Sequence, residues 1–204
     1  MRQNKMKTIG ITGGVGAGKS TVLDYMQEKY DACILKADEI GHLVMEPEGV
    51  CYQKIIDLFG KDIIKNDKTI DRKRVSDVVF SNGEMLAKLN GIIHPAVKAY
   101  IRQCLEEEAD SGRQLAVVEA ALLLEDHYEE FCDEVWYIHT DQEIRITRLM
   151  ESRGYSREKA ESIIRNQASE EYFRAHTDYE INNSGDPAET HQQIEKGVER
   201  DETL

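Results

Sequence analysis

The chain has 204 residues, with 26 Lys and Arg against 39 Asp and Glu for a net charge of −13, and 40% of it is hydrophobic. Such a balance fits a folded domain with its own core and excludes a disordered chain, and no apolar run approaches the roughly 18 residues of a membrane span. The acidity excludes general duplex nucleic-acid binding, which needs a basic surface.

The start, residues 1–5, leads directly toward an apolar strand, so no secretory leader is expected. Met6–Thr12 reads as a short buried strand that runs into glycines. Lys19–Tyr30 follows as a helix, because Val22, Leu23, Met26 and Tyr30 share one face. Ala32–Leu35 is a second strand candidate, ending at Lys36-Ala37-Asp38. From about Gly41 to Asp110 the pattern is helical, with Val97, Tyr100, Ile101, Cys104 and Leu105 forming a stripe. Proline favours the first helical turn, so that stripe is predicted to lie on a helix opening at His94–Pro95. Leu115–Val118 is a third strand, ending at Glu119. Val135–Ile138 is a fourth, leading through His139 and Thr140 to Asp141, a capping candidate for the next helix. Tyr179–Ile181 is a weaker fifth, and the charged tail Glu195–Leu204 is expected to fray. Cys33, Cys51, Cys104 and Cys132 are widely spaced without a C-x-x-C pair, the pattern of reduced thiols in a cytoplasmic protein.

Strands alternating with helices predict an α/β fold, a parallel sheet flanked by helices. Residues 1–40 plus 111–204 make its core and 41–110 an inserted helical subdomain. Ligands of such sheets gather at the carboxyl ends of the strands. There Gly13-Gly14-Val15-Gly16-Ala17-Gly18-Lys19-Ser20 fits the P-loop pattern G-x4-G-K-[ST], between a strand and a helix as that motif requires. Glycines let backbone N–H groups approach phosphates, and the helix N-terminus adds partial positive charge. Lys19 offers a point charge to the β- and γ-phosphates, and the Ser20 hydroxyl a ligand for Mg²⁺.

A P-loop serves several classes of protein. A GTPase switch needs N/T-K-x-D late in the chain; Leu35-Lys36-Ala37-Asp38 has the wrong first residue and comes early. An ATP-driven machine needs a strand ending in an acid, which Leu115–Glu119 matches only as any buried strand would. A slow ATP-hydrolysing regulatory module stays open. A small-molecule kinase needs a carboxylate for the attacking hydroxyl, and Asp38 suits that role by position. Position alone equally allows Asp38 to cap a helix from Glu39. A kinase also needs cations over the phosphoryl group. Arg145, Arg148, Arg153, Arg157, Lys159 and Arg165 form the densest basic stretch and read as a lid over about 145–170. Glu143, Glu151, Glu158 and Glu161 are interleaved, so any single arginine there can instead be an ion-pairing surface residue. His94 is open between a phosphate or ribose contact and a turn residue.

The ordered segments TGGVGAGKST, KADEIGHLV, LNGIIHPAV, VVEAALLLE, RLMESRGYSREKAESIIRNQ and DYEINNSG resemble the dephospho-coenzyme A kinases over roughly Lys7 to Gly185. The P-loop is generic, whereas the His94–Pro95 pair, the A-A-L-L-L-E strand exit and the D-Y-x-I-x-N-x-G string are specific. The resemblance implies a P-loop NTPase-type α/β core, a helical substrate subdomain and a lid. It also implies phosphorylation of the ribose 3′-hydroxyl of dephospho-coenzyme A (dephospho-CoA) by ATP with Mg²⁺, in the cytoplasm. On the matching positions, Gly14–Thr21 (Gly14, Val15, Gly16, Ala17, Gly18, Lys19, Ser20 and Thr21) would hold ATP, with Lys19 also catalytic. Asp38 would be the general base at the substrate hydroxyl, and His94 a substrate-domain residue. Arg148 and Arg153 would be lid arginines near the phosphates, with Asn182–Gly185 beside the adenine. Three positions depart from the family pattern: Lys36 replaces the first Asp of D-A-D, Ala121 a proline, and Glu119 an aspartate. Another metabolite kinase, of nucleoside monophosphate or shikimate type, is the alternative.

Overall fold

A computed structural model describes residues 5–200. The chain runs through β1 (Lys7–Thr12), α1 (Lys19–Tyr30), β2 (Cys33–Lys36), α2 (Ala37–Leu43), α3 (Tyr52–Phe59), α4 (Arg72–Phe80) and α5 (Gly83–Asp110). It continues through β3 (Leu115–Glu119), β4 (Glu134–His139), α6 (Gln142–Arg153), α7 (Arg157–Arg165), α8 (Glu170–Ala175), β5 (Tyr179–Asn182) and α9 (Pro187–Glu199). Two compact units result: Met1–Leu35 with Glu108–Leu204, and Lys36–Glu107.

The first unit carries a five-stranded sheet of order β2-β3-β1-β4-β5. β1 is central and runs parallel to β3 and β4, and β4 runs parallel to β5. Strands covered on both faces need apolar side chains on both, and β1, β3 and β4 are buried almost throughout. Ile9, Ile11, Val22, Met26, Trp136, Ile138, Ile181 and Ile194 form the main core on one side of the sheet. β5 carries a weaker signal because it is an edge strand, and only Ile181 in it is buried. Asp186 starts α9, its side chain accepting from the Ala188 amide, with Pro187 in the first turn. The chain then stays helical to Glu199, so residues 195–199 of the tail expected to fray are ordered. Ile194 and Gly197 are buried against the sheet and hold them there; residues 201–204 of that tail, like residues 1–4 of the expected leaderless start, lie outside the described residues.

Gly197 marks a packing limit. A β-carbon there would lie 2.7 Å from both Trp136 Cη2, in the core, and Cε1 of the half-buried Tyr179 packed against it. Alanine gains about 1 kcal/mol of helix propensity, but overpacking of this kind costs about 1–3 kcal/mol. Gly197→Ala is therefore expected to lose up to about 2 kcal/mol net in urea unfolding.

The second unit consists of α2–α5 and connecting turns, with one antiparallel bridge, Ile64 to Ile70. Asp71 caps α4 by accepting from the amides of Lys73 and Arg74. The helix predicted to open at His94–Pro95 in fact opens at Gly83, and Pro95 lies inside it. Pro95 removes the N–H that would bond to the Gly91 carbonyl. The helix nevertheless runs on through Pro95 to Asp110. His94 is consequently a mid-helix, half-buried residue without a helix N-terminus beneath it.

No disulfide joins the four cysteines. Among the described residues no helix is long and apolar enough to cross a membrane.

Candidate active site

β1 delivers the chain to Gly13, and the loop 13–18 turns it into α1. Gly16 and Gly18 take φ of 76° and 81°, left-handed values that a side chain disfavours. Within the loop the Ala17 amide donates to the Gly14 carbonyl at 3.2 Å. The amides of Gly16 and Gly18 donate to no protein acceptor among the described residues, and the first turn of α1 adds its own unpaired N–H groups. Partial positive charge thus gathers along this loop.

Lys19 lies along this loop. Its Nζ donates to the Gly13 carbonyl at 3.0 Å and lies 3.5 Å from Glu119 Oε1. Glu119 ends β3 and pairs in register with Ile11 on β1, which places its carboxylate beside the loop. Ser20 and Thr21 are exposed in the first turn of α1, and the Ser20 hydroxyl has no protein partner among the described residues.

The other side of the loop is held by polar groups from the strand ends that follow. The Ala17 carbonyl accepts from Thr140 Oγ1 at 2.9 Å, Asn183 Nδ2 at 2.8 Å and Arg148 Nη1 at 3.3 Å. Arg148 also donates to the Asn183 carbonyl at 3.0 Å. Thr140 and Asn183 are both buried, immediately after β4 and β5. Arg145 is buried as well, and donates through Nε to the Val15 carbonyl at 2.9 Å and through Nη2 to Gln167 Oε1 at 2.7 Å. Burial in place of water holds its pKa below the ordinary arginine value. Gly14 and Gly18 have no side chain for a second reason: a β-carbon at Gly14 would collide with Arg145, and at Gly18 with Asn183.

The basic stretch divides into distinct parts. Arg148 reaches the loop. Arg153 is exposed in the last turn of α6. Arg157 is engaged with Glu143 at 2.6 Å and Glu161 at 2.9 Å, the interleaved ion pairing. Lys159 lies 3.9 Å over the Tyr155 ring. Asp141 is the N-cap residue of α6, but its side chain makes no capping bond; Oδ1 lies 3.3 Å from His139 Nε2 instead. After β5, Asn182 Oδ1 accepts from the Ser184 amide at 2.9 Å, and the Ser184 hydroxyl from the Asp141 amide at 2.9 Å, so Asn182–Gly185 adjoins the start of α6.

In the second unit, Asp38 is not a helix cap. α2 begins at Ala37 with Lys36 in the cap position, and Asp38 stands exposed in the first turn, its carboxylate without a hydrogen bond or ion pair among the described residues. Lys36, at the departure from D-A-D, is paired with Glu39 at 3.0 Å. A cleft of about 720 Å³ in this unit is lined by Leu43, Val44, Pro47, Val50, Ala96 and Tyr100, among others. His94 lies outside that lining, two residues from Ala96 along α5.

Of the residues that hold the loop, Gln167 was not singled out by the sequence and Thr140 only marked the end of a strand, whereas Arg145 was read as one of the lid's basic residues and Asn183 within the Asn182–Gly185 loop. Thr140 and Asn183 had one available signal, a polar residue just past a strand end. Gln167, beyond the end of α7, had none.

A family model for dephospho-CoA kinase matches residues 7–189. A dephospho-CoA kinase of Carboxydothermus hydrogenoformans is 40% identical over 186 residues, covering 91% of this chain and 90% of its own. The solved structure of a Thermus thermophilus protein superposes with a TM-score of 0.81 at 28% identity, over 98% of this chain and all of its own. The dephospho-CoA kinase of Campylobacter jejuni gives a TM-score of 0.70 at 26% identity, over 95% of this chain and 96% of its own.

Proposed function

The chain belongs to the dephospho-CoA kinase family, and from that membership we propose how its own residues carry the reaction. The protein is an ATP-dependent kinase that moves the γ-phosphoryl group of ATP to the ribose 3′-hydroxyl of dephospho-CoA, giving CoA and ADP. The observation that carries the assignment of residues is the phosphate loop, where unpaired amides and the Lys19 ammonium gather along one turn of the chain. Phosphoryl transfer passes through a loose transition state, so the protein contributes chiefly position and charge.

Gly14–Thr21 hold the ATP phosphates. Lys19 leaves Glu119 for the β- and γ-phosphates, and follows the charge that builds on the bridging oxygen as the bond breaks. Magnesium would be held by Ser20 together with the phosphates. The exposed Ser20 hydroxyl fits that use, and among the described residues no cluster of three or more His, Cys, Asp or Glu competes for the ion. Mg²⁺ keeps most of its waters and asks little else of a protein; bound, it neutralises phosphate charge.

Asp38 accepts the proton of the attacking 3′-hydroxyl. Its bare, exposed carboxylate supports the role, since no competing partner has to be displaced. The helical insert, with His94, takes the rest of dephospho-CoA, and its apolar cleft suits the pantetheine chain. Arg148 keeps the loop in shape, and Arg153 is left to meet phosphates. Asn182 and Gly185 border the adenine. Within the lid segment the buried face of α6 holds the loop, and α7 packs on α6 through the buried Ala160. Cysteines without disulfides suit a reducing cytoplasm.

Coupled ADP release over a panel of acceptors tests this reading. Dephospho-CoA should support turnover at least about 100-fold faster than shikimate or a nucleoside monophosphate, because the insert's contacts act only on the right acceptor. Equal turnover without any acceptor would identify a simple nucleotide hydrolase.

A further inference from the structure

Arg145 is 8% exposed and, among the described residues, has no carboxylate within ion-pair distance. Buried charges are ordinarily paired, because removing them from water is costly. Its bonding partners here are neutral oxygens, the Val15 carbonyl and the Gln167 carboxamide. The same Gln167 oxygen accepts from the Val15 amide at 3.0 Å. Arg145 and Gln167 together therefore engage both backbone polar groups of one P-loop residue. The nearby acid, Glu170, lies beyond ion-pair distance and bonds Arg174 at 2.9 Å, so it offsets the Arg145 charge only in part. Lys19, the loop's other cation, is already offset by Glu119. An unpaired cation thus lies against the outer face of an anion-binding loop, and the residue that positions it carries no charge.

We propose that Arg145 is a positioning residue whose charge, free of any direct ion pair, acts through the loop backbone on the nucleotide phosphates, and that Gln167 must be neutral to leave that charge available. A glutamate at 167 would accept both bonds equally well and complete an ion pair; it would also cancel the field. The pair also ties the chain just beyond α7 to the loop at Val15. The inference rests on reading the loop as the ATP phosphate site.

ATP and adenosine are titrated calorimetrically into the wild-type, Gln167→Glu and Arg145→Met chains, and the melting temperature of each is taken without nucleotide. Gln167→Glu is expected to melt no lower than wild type while binding ATP about tenfold more weakly, a charge placed close to the phosphates in a partly shielded site. Adenosine, lacking phosphates, should bind both variants as it binds wild type. Arg145→Met should lose ATP affinity to a similar extent; if it fails to fold, Gln167→Glu decides alone. Gln167→Glu with ATP affinity within twofold of wild type, with equal losses for adenosine, or with a lowered melting temperature would overturn the proposal. Wild-type chain that binds ATP no better than adenosine would instead refute the phosphate-loop reading.

Discussion

Asp38→Asn folds, binds ATP as wild type does, and turns over at least about 100-fold more slowly with dephospho-CoA. The substitution keeps the shape and removes the ability to take a proton. Asp38 is exposed, lies in the first turn of α2 and has no side-chain partner among the described residues, so nothing in the fold depends on its charge. A small melting shift is all that the helix terminus should register. The loss must therefore fall on kcat, with the ATP dissociation constant unmoved. Stopped-flow single turnovers separate this from slow product release. Near wild-type kcat would remove Asp38 from the chemistry and leave the reaction to positioning by the loop.

Lys19→Met is the second large effect. Kcat/KM for ATP should fall by about 10³, the scale for losing a preorganised charge at the transferring group. Methionine retains most of the stem, so the change is electrostatic. Its size is raised by Glu119, 3.5 Å from the ammonium, whose carboxylate would then stand beside the loop without the Lys19 charge next to it. The double variant Lys19→Met with Glu119→Gln should therefore recover about tenfold over Lys19→Met alone. Additive losses would place Glu119 outside the electrostatics of the loop. Such additivity would be consistent with Glu119 holding a metal-bound water instead.

The phosphate loop was legible in the sequence because its signals are local, whereas position alone left Asp38 open between a base and a helix cap. The glycines, Lys19 and Ser20 form a contiguous string between a strand and a helix, and strand periodicity supplied the core of the sheet, including β5 at its edge. Pro95 was misread because proline is commonest at helix starts, yet α5 opens twelve residues earlier at Gly83 and runs through it. The outer clamp was harder. Thr140, Arg145, Gln167 and Asn183 are scattered between strands and helices, and each matters through contact with a loop more than a hundred residues earlier in the chain. Arg145 was visible only as one of several basic residues, and burial separates it from Arg157, which is spent on surface ion pairs. The nature of the acceptor was legible through several short strings together, since no single one of them names dephospho-CoA.

The reaction itself is tested most directly by the mass and fragmentation of the product after incubating the chain with MgATP and dephospho-CoA. The predicted result is one added phosphoryl group on the ribose 3′-oxygen, with ADP formed in equal amount. Unchanged dephospho-CoA beside accumulating ADP, or a phosphoryl group on any other oxygen, would contradict it.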